Sequence, residues 1–136
     1  MAEMEPWDLV KMHGRSMRSG HYIEAVAVGY QLLETVFVVL LTKTLVGNSS
    51  QPMAESSVDK TDYLISKAKL ALDHGFIDQA LYDEVRAFNK MRADLMHNII
   101  KKNVDYATAE ACAMMVTEIY GKIQGRFLTY TITESK

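Results

Sequence analysis

Arg92 and His97 are the residues whose types and spacing point to chemistry. They lie in "FNKMRADLMHN", residues 88–98, and spell R-x4-H. A neutral imidazole can act as a base near pH 7, and a guanidinium can hold two phosphate oxygens at once. Together they suit cleavage of a phosphodiester whose neighbouring 2′-hydroxyl is the nucleophile, a reaction that needs a base and positive charge. Arg92 is also out of place. Leu81, Val85, Phe88, Arg92, Leu95 and Ile99 follow alternating four- and three-residue steps, a seam that faces a neighbouring helix. A guanidinium in that seam keeps its proton and needs anionic or carbonyl company. Two structural roles compete with the catalytic one. The side chain can snorkel to the edge of the core, or it can pair with a carboxylate such as Glu34.

His97 falls about 140° around an ideal helix from Arg92. It shares a narrow arc with Arg86, Lys90 and Lys101, diluted by Asp83 and Asp94. Such an arc is either a solvated face or a phosphate track that leads to a histidine. Lys102 extends the track. Tyr106 beyond it can stack a base or serve as a packing residue. Asp94, three residues before His97, can hold an imidazole nitrogen, and Asn98 flanks it as a second supporting group. One straight helix does not put both groups on one face. Arg92 reaches around, the helix distorts near His97, or a dimer mate supplies the second group.

Five helices are expected to position these residues. The first spans about 6–18, with Pro6 in its first turn and Trp7, Val10 and Met17 as a thin stripe. Gly14 offers a close-packing point. The second spans about 22–46 and is apolar on most sides, which calls for several neighbours. Glu34 is its polar edge. Residues 47–58, "GNSSQPMAESSV", read as a mobile polar linker. The third helix starts near Asp59 and ends at Gly75, the position of a left-handed cap. Asp78 caps the fourth, with Ile77 and Tyr82 as a hydrophobic staple. That helix runs to about Lys102, and Asp105 caps the fifth, which follows Ala111, Met115, Ile119 and Ile123. The tail, about 127–136, is β-branched and aromatic and reads as a short strand or extended arm. The expected fold is all-α, one antiparallel bundle over residues 1–136.

Composition narrows the class. A net charge of −2 argues against a chain coated in positive charge, though not against a local basic track. The single cysteine, Cys112, forms no internal disulfide, fits a reducing cytoplasm and lies in a helical apolar pattern as a small core residue. The start, "MAEMEPWD", has no basic or apolar leader pattern, so no signal peptide is expected. The run "VFVVLL" is bounded by Gln31, Glu34 and Lys43, short of the roughly 20 apolar residues of a membrane span, and reads as a core helix. His13, His21 and His74 show no metal-ligand spacing and are expected at surface or cap positions. Neither a metal nor a cofactor is expected, and the phosphate-loop, dinucleotide and nucleophile-elbow patterns do not occur.

A helical bundle carrying R-x4-6-H late in the chain resembles the HEPN superfamily, over about residues 22–123. The specific part is "QALYDEVRAFNKMRADLMHN". With five arginines and four histidines, chance supplies about half a match to the motif. Arg15 and His21 also fit, but across the "SG" break and off any seam. The resemblance implies a metal-independent endoribonuclease of a toxin or defence system. It would work as a homodimer on RNA, with an antitoxin protein as a further partner and Arg92 and His97 as the catalytic pair. The family commonly places Asn or Asp directly after the arginine; here that residue is Ala93. The stretch "AKLALDHGFIDQALYDEVRAFNKMR" is also similar in layout to the mannitol operon repressor family, which implies a non-catalytic regulatory or partner-binding module on the same kind of bundle.

Overall fold

The computed structural model describes residues 6–41, 63–101 and 104–134, with side chains for 7–41, 64–101 and 104–125. The expected linker at 47–58, the ends of the helices that flank it and Lys102 lie outside the described residues. Five helices occur among them: α1 (Pro6–Arg18), α2 (Tyr22–Leu41), α3 (Tyr63–Asp73), α4 (Gln79–Ile100) and α5 (Tyr106–Glu134). No strand is present among these residues. The strand or arm expected at 127–136 is instead helical through Glu134, as the end of α5. The Thr-rich, partly aromatic tail has a modest preference for strands. Extending an existing helix needs no new nucleus, and that outweighs the preference.

The turns follow from local chemistry. Gly20 and Gly75 hold φ of 74° and 76°, the left-handed region that glycine enters without a Cβ penalty. Around each, two backbone bonds close the preceding helix: His21 N–H to Ser16 and Gly20 N–H to Met17 after α1, Phe76 N–H to Ala71 and Gly75 N–H to Leu72 after α3. The Asp78 carboxylate accepts from Leu81 N–H at 2.9 Å and so starts α4 as expected. Asp105 starts α5 in the same way, accepting from Ala107 N–H and from the Thr108 hydroxyl. Those two hydrogen bonds hold its carboxyl below the usual range, the Thr108 bond most of all.

α2 is the central element and packs on α1, α3 and α5, while α4 packs on α3 and α5. Its length and composition would suffice for a membrane crossing, yet Val26, Leu32, Leu33, Phe37 and Leu41 are buried in the core, as expected of a core helix. Its crossing with α5 is tight at Gly29. A Cβ at Gly29 would lie 2.5 Å from a Val116 methyl, so only glycine allows this approach. Gly14 is not a packing point: its Cβ position meets only Arg18 of its own helix. The fully buried face of α1 is Leu9, His13 and Ser16; Val10 and Met17 of the expected stripe pack partly buried against the core, and Trp7 is exposed. The core wants the i, i+4, i+7 face that carries Leu9. His13 can join it because its Nε2 donates to the Ala113 carbonyl of α5 at 3.2 Å. His13 is therefore a buried strut between two helices rather than a surface residue.

Candidate functional site

Arg92 enters the core from α4 and lays its guanidinium over the Tyr30 ring of α2, 4.0 Å from the ring centroid. The side chain is half-buried, and its Nε has no hydrogen-bond partner within the protein. A guanidinium over an aromatic face gains electrostatic attraction while its N–H edges stay uncommitted. The alternative pairing with Glu34 is not made. Glu34 faces Lys67 of α3 at 3.9 Å, and Lys67 is only 5% exposed. Glu34 is thus tied to a buried lysine rather than left as a solvent edge. No carboxylate among the described residues neutralises Arg92. Its charge also reaches Cys112 of α5. Burial pushes that thiol up to about 11, and the Arg92 charge opposes part of the rise. At that value Cys112 is an inert core residue, as its sequence pattern suggested.

The rest of the motif is exposed. His97 lies in the last turn of α4, where its carbonyl accepts from Lys101 N–H. Its ring is in solvent, and so are Asp94 and Asn98, with no hydrogen bond or ion pair between them and the imidazole. The expected support of His97 by Asp94 is therefore not made, because an exposed pair at this spacing gains little from ordering both side chains. Arg86, Lys90 and Lys101 are exposed along the same arc. Arg86 lies 5.9 Å from the Tyr82 ring centroid, and Lys69 of α3 lies 6.0 Å from the same ring. Tyr106, the first residue of α5, is 68% exposed, so it is not a packing residue. α4 thus carries a basic outer arc that includes His97, while Arg92 points the other way toward Tyr30. Among the described residues no three metal-ligating side chains come together.

Two members of this site escaped the reading of the sequence. Tyr30 lies in an apolar helix, and nothing near it in the chain announces a cation. Asn89 lies one turn before Arg92, and its Oδ1 is shut off from solvent with no protein partner. The three-residue spacing to Arg92 was a usable signal for it. The chain matches no protein-family model, no curated protein and no solved structure.

Proposed function

We propose that this chain is a HEPN-like helical protein that acts on RNA as a homodimer, a metal-independent endoribonuclease of a toxin or defence system held in check by an antitoxin protein. The observation that carries the reading is Arg92. A half-buried guanidinium with no carboxylate beside it, resting on the Tyr30 ring, is an anion site waiting for its anion. The exposed arc of Arg86, Lys90 and Lys101 gives a phosphate backbone a path to His97, and Tyr106 offers a ring for a base at its end. In the reaction the 2′-oxygen attacks phosphorus and His97 takes its proton. The phosphorus–5′-oxygen bond breaks, and the leaving oxygen takes a proton from water. The products are a 2′,3′-cyclic phosphate and a 5′-hydroxyl. Arg92 stabilises the charge that builds on the phosphorane. The two side chains diverge on α4, so His97 of one protomer would serve Arg92 of its partner.

The test is cleavage of an RNA pool in EDTA. His97→Ala and Arg92→Ala each lower the rate by roughly a hundredfold or more with the fold intact. Arg92→Lys rescues poorly, because lysine lacks the planar fork. Mixing the two alanine variants restores part of the activity if the pair acts between protomers. A folded wild-type protein that cuts no RNA would overturn the nuclease. One observation favours a second reading in that case: His97 stands in solvent without an orienting partner. The chain would then be a regulatory or partner-binding module of the mannitol-repressor kind.

A further inference from the structure

Asn89 Oδ1 and Arg92 Nε are the two side-chain atoms, among the described residues, that are closed to solvent and lack a hydrogen-bond partner in the protein. They belong to consecutive turns of one face of α4, with Cβ atoms about 5–6 Å apart by helical geometry. One is an acceptor and the other a donor. Packed cores seldom keep such a pair side by side, since each unmet group costs free energy; binding sites do keep them. What holds Arg92 in place is an aromatic face, at 4.0 Å from the Tyr30 centroid. Such a face releases a guanidinium far more readily than a buried carboxylate does. An anion held at Arg92 would therefore lie within one helical turn of Asn89.

A ligand that satisfies both atoms brings an anionic acceptor to Arg92 and an O–H or N–H donor to Asn89, separated by no more than about one nucleotide. A ribonucleotide chain does so: the phosphate oxygens accept and the 2′-hydroxyl of the flanking ribose donates. DNA has no such hydroxyl, and a 2′-O-methyl ribose has lost its donor proton. We propose that Asn89 reads the 2′-hydroxyl of the ribose on the 3′ side of the phosphate held by Arg92, and so makes the site selective for ribose. The hydroxyl on the 5′ side is the one the reaction consumes, so the two roles do not compete. This assignment rests on the RNA reading above.

The experiment is binding by fluorescence anisotropy of one labelled single strand in three forms: RNA, DNA of the same sequence, and 2′-O-methyl RNA. The wild-type protein should prefer RNA to the other two by about tenfold, the worth of one hydrogen bond to a sheltered acceptor. Asn89→Leu, which keeps the branch at Cγ but has no acceptor, should lower RNA affinity to that of DNA and leave DNA affinity unchanged. A merely structural role would shift all three strands together. Asn89→Ser serves as a second variant, keeps a short acceptor, and should retain part of the preference. If Asn89→Leu keeps the wild-type RNA-to-DNA ratio, or the wild type binds RNA and DNA equally while still cutting RNA, the assignment of Asn89 fails and the nuclease reading survives. If the wild type neither binds nor cuts RNA, both fall.

Discussion

His13 joins α1 to α5 through the Ala113 carbonyl and is held neutral by its burial. Desolvation lowers its pKa below 6.5, and the hydrogen bond to Ala113 offsets only part of that. The sign of the consequence follows from linkage. The unfolded chain binds this proton more readily than the folded one, so stability falls as pH drops through about 6.5, toward the lower folded-state value. The thermal midpoint should therefore decrease between pH 7.5 and pH 5. His13→Gln keeps an N–H for Ala113 but does not titrate, and should shrink that decrease. Equal pH dependence in the two proteins would show that protonating His13 costs the fold nothing. Arg92 and Glu34 show the same dependence on surroundings. Both are charged residues set among apolar ones, and each took a partner that its neighbours in the chain do not reveal.

At the scale of elements, the crossing of α2 and α5 sets the geometry of the site. Gly29 lets the helices approach until Val116 fills the space where a Cβ would be, and Tyr30 follows Gly29 directly. Alanine is the better helix former by about 0.5–1 kcal/mol, which would favour Gly29→Ala. The new methyl would clash with Val116 Cγ2, Cγ1 and Cβ, and overpacking of this kind costs about 1–3 kcal/mol. Valine is stiff at χ1 in a helix and cannot turn aside, so the clash should win. Gly29→Ala should lower stability by about 1–2 kcal/mol in urea denaturation with an unchanged slope. A higher midpoint would mean that α2 and α5 part without cost.

For the whole molecule, the proposed chemistry depends on association. His97 and Arg92 diverge by about 140° around α4, and one protomer leaves them apart. Ile100 and Met114 are large apolar residues left exposed near the α4–α5 turn and on α5, which is surface that a second copy can cover. The protein should scatter light as a dimer at tens of micromolar, with an interface above about 1,000 Å². A monomer at that concentration would remove the route by which the two groups meet, and the nuclease reading with it.

The sequence alone determined that five helices form and most of the signals at their ends, but not the end of α5, where a tail of strand-forming residues continues the helix to Glu134. Proline at the start of α1, glycine after α1 and α3, and aspartate before α4 and α5 act through bonds within a few residues, so their effect is legible locally. The alternating seam of α4 and the exposed basic arc opposite it came from the same short-range periodicity. The all-helical class followed from those signals together. Only the tertiary structure decided that Arg92 meets Tyr30, that Glu34 meets Lys67, and that His13 is a buried strut to a carbonyl 100 residues away. It also decided that Asn89 Oδ1, one turn from Arg92, is closed to solvent without a hydrogen-bond partner in the protein. Those pairings are set by which helix faces pack together. A helix face records that it is apolar or charged, but not which residue of a distant helix will lie across from it.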